Sequence, residues 1–358
     1  MRLRRVDVRG FRGIAACVWE PSDVSLLDGP GADDLCRMLG HVANTTRGWS
    51  DFGRAYDCEP RPAAERYVDG FTDASCVLDL APPEHETLGF GYEIVLDHGS
   101  DGSWAVGFER ITRSDDFTLV QVLLRDGTRV EYQPARRGPA TMTSAPPRAD
   151  AYDIAHDIPT LAAVPAVAKD PRVRPYAERL AEWSRYGAPD TSPEAPARAF
   201  SAFASSHDRL AGDGRNVAHV LYGCWGDDAR AAAVRDGLRA VDARLVDLAF
   251  GVDDDGSLTT AALHADGART PLAQLDAPAL DWLLRAAVLA GRSPAVLCIV
   301  DVGGDALPAG VHAPLAALVG LAARRGAQVV LVAPSEPFAT AVTMACASAG
   351  VIVSRHAL

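Results

Sequence analysis

Two places in this chain have residue types and spacing that could do chemistry. The first is the turn Asp28-Gly29-Pro30-Gly31, which follows the apolar run Val24-Ser25-Leu26-Leu27 and precedes Leu35, Met38, Leu39 and Val42 at helical spacing. Strand, glycine-rich turn and helix in that order can hold an anion, because main-chain N–H groups of the turn and helix start converge on one point. The second is Asp301, an acid at the end of the continuous apolar run Ala295-Val296-Leu297-Cys298-Ile299-Val300. A carboxylate there could hold a divalent cation, or it could cap the sheet edge by bonding to nearby amides. The turn has an equally plain alternative as a tight connection with no ligand.

Other chemistry is excluded residue by residue. His85-Glu86 begins like a zinc-protease motif, but position 89 is Gly and no second His follows. Ser205-Ser206-His207-Asp208 holds the residue types of a hydrolytic triad, yet sequence neighbours do not adopt triad geometry. Seven cysteines are present, an odd number with no C-x-x-C pair, and most lie among apolar neighbours. Buried free thiols are expected, and neither a metal site nor a disulfide framework.

Composition narrows the class. The 358 residues are 48% hydrophobic and 23% charged, enough for one large or two ordinary domains with real cores. A net charge of −12 opposes loose attachment to nucleic acid or to an anionic membrane. No apolar run approaches the roughly 18 residues of a membrane span. The basic opening Met1-Arg2-Leu3-Arg4-Arg5 leads into a strand pattern rather than an apolar signal block, so the cytoplasm is the expected location. The arginines at 2, 4, 5, 9 and 12 could touch DNA, or they could pair with carboxylates on an acidic surface.

The elements that must position these residues follow from periodicity. Residues 3–9 and 14–19 read as two strands joined at Gly10-Phe11-Arg12-Gly13. Between 74 and 133 apolar and polar residues alternate, as in Tyr92, Ile94, Leu96 and Trp104, Val106, Phe108, and Asp126-Gly127 separates two strand runs. That pattern predicts an antiparallel sheet. Prolines at 134, 139, 146 and 147 predict an exposed linker. Residues 173–186 read as a helix with Val173, Tyr176, Leu180 and Trp183 on one face. From about 199 helix and strand alternate, with strands at 245–252, 257–264, 295–301 and 328–332 and helices around 234–245, 280–288, 315–322 and 338–348. Continuous apolar strands between helices predict a parallel sheet covered on both faces.

This order resembles the ABC-type ATPase heads of the RecF/SMC branch. Leu3 to Ile14, with Gly10-Phe11-Arg12-Gly13, looks like that family's opening strand. Gly91-Tyr92 and Phe108-Glu109-Arg110-Ile111 look like its β-lobe, and Asp213-Gly214-Arg215-Asn216-Val217 like its D-G-x-N segment. Asp301 is placed like a Walker B aspartate. The resemblance implies an α/β, P-loop NTPase-like head of ABC/SMC type: a mixed central sheet, an antiparallel β-lobe and a short helical insert in one domain spanning 1–358. Its parts would be 1–50 (strand-turn-helix), 74–133 (β-lobe), 150–210 (insert) and 211–358 (Walker B-like lobe).

The same resemblance implies that the catalytic residues are missing. A working loop carries G-x-x-x-x-G-K-[ST], whose Lys neutralises phosphate and whose hydroxyl holds Mg²⁺. From Gly29, the positions of the second Gly, the Lys and the Ser hold Asp34, Leu35 and Cys36, with Gly31 and Asp33 inside the turn. The Glu after the Walker B aspartate is Val302. The S-D-G signature corresponds to Leu275-Asp276-Ala277-Pro278, and the γ-phosphate-sensing His position holds Pro334. The vestigial nucleotide site is therefore Gly29, Gly31, Asp33, Asp34, Asp276, Asp301, Val302 and Pro334, with no catalytic residue, no metal and no cofactor. The alternative is weak ATP and Mg²⁺ binding through Asp301 and the turn amides. Family heads dimerise across this face. Leu35, Cys36, Leu275, Ala277, Pro278, Val302 and Pro334 would then form an apolar patch, either closed into a dry core or buried against a protein partner or second copy. Burial against a partner is the expectation, with Leu275→Asp and Val302→Asp breaking the assembly and sparing the fold.

Overall fold

The computed structural model describes residues 2–46, 73–81, 89–98, 104–114, 119–133, 149–155, 158–199, 208–252, 257–292, 297–304 and 308–358. Cys58, His85-Glu86, the proline-bearing stretch 134–148, Ser205-Ser206-His207 and Ala295-Val296 lie outside the described residues.

In chain order the elements are β1 (Leu3–Phe11), β2 (Ile14–Trp19), β3 (Val24–Asp28), α1 (Gly31–Asn44), β4 (Asp73–Leu80), β5 (Gly89–His98), β6 (Trp104–Ser114), β7 (Leu119–Asp126), β8 (Arg129–Tyr132) and β9 (Asp150–Asp153). Then come α2 (Thr160–Ala163), α3 (Pro165–Ala168), α4 (Arg174–Ala181), β10 (Ser184–Tyr186), α5 (Val217–Cys224), α6 (Asp228–Val241), β11 (Leu245–Val252), β12 (Leu258–His264) and β13 (Arg269–Pro271). The chain continues through α7 (Ala277–Ala290), β14 (Leu297–Gly304), α8 (His312–Arg324), β15 (Gln328–Pro334), α9 (Glu336–Ser348) and β16 (Val353–Ala357). These fall into two compact units, one of residues 1–21, 29–183 and 358, the other of residues 22–28 and 184–357.

The first unit is built on an antiparallel sheet with strand order β2-β1-β4-β5-β6-β7-β8-β9 among the described residues. Alternation makes one face apolar: Ala74, Cys76, Leu78 and Leu80 of β4 and Phe90, Tyr92, Ile94 and Leu96 of β5 are all buried. Helix α1 buries Leu35, Met38, Leu39 and Val42, worth about 1.5–3 kcal/mol each against exposure. Phe90 stacks on Tyr176 of α4 with ring centroids 4.0 Å apart.

This unit also encloses an ion pair, Arg125–Glu109, with both side chains 0% exposed. Glu109 accepts from Arg125 Nη1 at 3.2 Å, from Thr160 N at 2.8 Å, from Thr160 Oγ1 at 2.5 Å and from Tyr92 OH at 2.8 Å. Arg125 donates further to Gly127 O, Ile158 O and Ala155 O. A buried charge is tolerated only with this degree of pairing. The pair ties β6 and β7 to the start of α2.

The second unit carries a wholly parallel sheet, order β10-β14-β15-β3-β16, and a separate antiparallel sheet, β11-β12-β13. Val329 to Val332 are buried on both faces, as the uninterrupted apolar run requires. The stretch read as one helix to residue 186 divides: α4 stops at Ala181, and Ser184 to Tyr186 pair in parallel with Cys298 to Val300. Main-chain bonding along β14 outweighs helical periodicity there.

Candidate functional site

Strand register decides what shares an edge in the second unit. Asp301 lies opposite Val332, Val332 opposite Leu27, and Leu27 opposite His356. Two positions on, past an irregularity in β14, Gly304 meets Pro334. Asp301, Val302 and Pro334 therefore sit at the carboxyl ends of neighbouring parallel strands, where open α/β sheets bind ligands. The Asp301 carbonyl accepts from Arg285 Nη1 at 2.9 Å, and Arg285 pairs with Asp281 at 2.9 Å one turn away on α7. Val302 is 0% exposed and Pro334 is buried, so neither offers a group to a ligand.

Asp276 caps α7 in the same unit: its Oδ1 accepts from Ala279 N at 3.1 Å. The segment before it is pinned by Arg198, whose Nη1 donates to Leu275 O at 2.8 Å and Ala273 O at 2.9 Å. The Asp213-Gly214-Arg215-Asn216 segment does structural work. Gly214 has φ +74°, and a Cβ there would meet Leu284 at 2.7 Å. Asn216 Oδ1 accepts from Ala211 N at 2.7 Å, and its Nδ2 donates to Arg209 O at 2.8 Å.

The turn residues Gly29, Gly31, Asp33 and Asp34 belong to the first unit. Asp33 pairs with Arg37 one turn along α1 at 2.5 Å. Asp34 Oδ2 accepts from Gly13 N at 3.1 Å, and Oδ1 lies 3.5 Å from Arg12 Nη1. Arg12 has φ 49°, a left-handed conformation that costs a non-glycine residue about 1–2 kcal/mol. Asp34 thus steadies the β1–β2 turn rather than facing a ligand. Leu35 and Cys36, which the resemblance sets at the Lys and Ser positions, are both 0% exposed. The side chains present do not fit a nucleotide with Mg²⁺: no cation and no hydroxyl faces the turn from those positions, and no step of hydrolysis can be assigned.

The expectation of an open apolar patch needs correction. Leu35, Cys36, Leu275 and Val302 are 0%, 0%, 5% and 0% exposed, and Leu275 and Val302 pack into the second unit's core. Of the seven, only Ala277 and Pro278 are exposed. Four of these side chains, Leu35, Cys36, Leu275 and Val302, close inward because burial stabilises hydrophobic groups where they stand. Asp at 275 or 302 would disrupt the fold, not an assembly.

Of the arginines near the start of the chain, Arg9 pairs with Asp7 at 3.1 Å and Arg5 with Glu20 at 3.8 Å. Sequence reading missed Arg285, for which the i,i+4 pair Asp281/Arg285 beside an apolar helix face was the available signal. It also missed Leu358, whose main-chain carbonyl accepts from Gly31 N at 3.4 Å, and no local pattern marks that contact. Among the described residues no helix is long and apolar enough to cross a membrane.

No family model matches the chain, and no curated protein matches it. Solved structures do. An Smc head bound to the C-terminal winged-helix domain of ScpA aligns with a TM-score of 0.50 at 9% identity, covering 95% of this chain and 92% of that one. An Smc head with an extended coiled coil, bound to the C-terminal domain of ScpA and derived from Pyrococcus furiosus, gives 0.49 at 10% identity over 95% of this chain and 91% of that one. The chain has the fold of an ABC/SMC-type ATPase head.

Proposed function

We propose that this chain is a RecF/SMC-like head without nucleotide chemistry, acting as a protein-interaction or scaffold subunit. The observation that carries the reading is the burial of Leu35 and Cys36: no rotation of either supplies the missing cation or hydroxyl. Val302 and Pro334 add to it, since the water-positioning and γ-phosphate-sensing positions hold buried apolar groups. Function resides in sites rather than folds, so the architecture alone confers no ATPase activity. A protein partner or second copy is supported by the Smc head of TM-score 0.50, which is bound to the winged-helix domain of ScpA. Its surface lies outside the buried residues of the former nucleotide face.

A second reading, weak ATP binding, rests on Asp301 alone, which keeps a carboxylate at the carboxyl edge of the parallel sheet. Steady-state ATP hydrolysis with Mg²⁺ separates the two. The proposal expects no turnover above background, identical in wild type and Asp301→Ala. Turnover that Asp301→Ala removes would replace it with the second reading. Affinity purification of the tagged chain, with mass measurement of the complex, is expected to return a protein partner or a dimer. A lone monomer would remove the scaffold role.

A further inference from the structure

The glycines of the turn have a use unrelated to phosphate. Gly29 has φ +94°, and a Cβ added there would lie 2.2 Å from the Leu358 carbonyl oxygen and 3.2 Å from its carbonyl carbon and its nitrogen. A Cβ on Gly31 would meet the Leu358 carbonyl carbon at 3.3 Å. The Gly31 N–H, which in an anion-binding turn would face the ligand, instead donates to Leu358 O at 3.4 Å, and Ala32 N donates to Gly29 O at 3.3 Å. Pro30 has no N–H to offer. The strand leading to Leu358 is itself fastened: Arg355 on β16 pairs with Asp28 at 2.7 Å and with Glu336 at 2.7 Å.

The geometry points to a built-in closure: the Leu358 main chain occupies the anion position of the glycine turn and keeps the turn shut. Gly29 and Gly31 are glycines because another piece of backbone of the same chain lies against them. This deepens the reading of the turn as vestigial and rests on it. In a nucleotide-binding loop the same close approach would be made by phosphate oxygens; here it is made by a main-chain oxygen of Leu358.

Hydrogen–deuterium exchange of the full chain tests this against three variants: a chain ending at Ala357, Gly29→Ala and Gly326→Ala. Gly326 is the control, because its φ of +92° imposes the same backbone strain while its surroundings are open. Loss of Leu358 is expected to speed exchange in the 29–34 segment at least tenfold. Gly29→Ala should do the same, and Gly326→Ala should leave that segment unchanged. Unchanged exchange on losing Leu358 would overturn the closure, as would an equal response to Gly326→Ala. Binding of a fluorescent ATP analogue to the full chain would instead overturn the vestigial reading, so the two failures are told apart. Gly29→Ala need not fold for the test to hold, since the shortened chain keeps every side chain of the turn.

Discussion

Placing a glutamate at position 302, where the resemblance to ABC-type heads would put a water-positioning residue, should unfold or severely destabilise the protein rather than confer hydrolysis. Val302 is 0% exposed and packs within the second unit's core. Removing its side chain from that environment forfeits about 1.5–3 kcal/mol of burial. A neutral carboxyl left without partners costs a further ~1–3 kcal/mol, and an ionised one more. The sum of about 2.5–6 kcal/mol is comparable with the whole stability of an ordinary domain, ~5–15 kcal/mol. Urea denaturation followed by tryptophan fluorescence should show an unfolding free energy lowered by that amount, or no folded baseline at all. A Val302→Glu variant within about 1 kcal/mol of wild type would show that position 302 is not enclosed. Its side chain would then have reached open space at the sheet edge, and the position would remain usable for chemistry.

Breaking the buried pair in the first unit by Glu109→Ala should cost about 3–5 kcal/mol in the same assay, because Arg125 is left charged and enclosed; an exposed ion pair would cost under ~1 kcal/mol. Burial pushes the thiols of Cys224, Cys298 and Cys346 up to about 11, 12 and 11, so a thiol reagent at pH 8 should label none of the three until denaturant is added. Rapid native labelling of any of them, read by peptide mass, would contradict their placement. Asp242 is held down to about 2 by the Arg244 side chain and then by the Arg244 main-chain N–H, against an ordinary value of 3.8. Its folded value lies below its unfolded one, so its contribution is present above pH 3.8 and lost as pH falls toward 2. Asp242→Asn should flatten the stability–pH curve in that window, and an unchanged slope would count against the Arg244 contact.

Much of the architecture was legible because it rests on local pattern. Val329 to Val332 could only be a strand buried on both faces, and Asp126-Gly127 between two strand runs could only be a hairpin. The apolar residues at positions 35, 36, 302 and 334 were legible as such. Their placement was not, because a Leu beside a glycine turn reads the same whether it opens to a partner or turns inward. Solvent exposure depends on what packs over α1 and β14, and those neighbours are remote in sequence. Distance hid the other surprises too. Glu109 meets Thr160 and Arg125 meets Ala155, each across long stretches of chain. Leu358 answers Gly29 from more than three hundred residues away. Asp34 seemed an acid set against phosphate, and its real partners, Arg12 and Gly13, lie in a hairpin turn that sequence alone does not bring near it.

Equilibrium binding of a fluorescent ATP analogue with Mg²⁺, run on wild type and Asp301→Ala, bears most directly on the proposal that this head works without nucleotide. The expected result is no saturable binding by either protein at millimolar nucleotide. Micromolar binding by wild type that Asp301→Ala abolishes would contradict it.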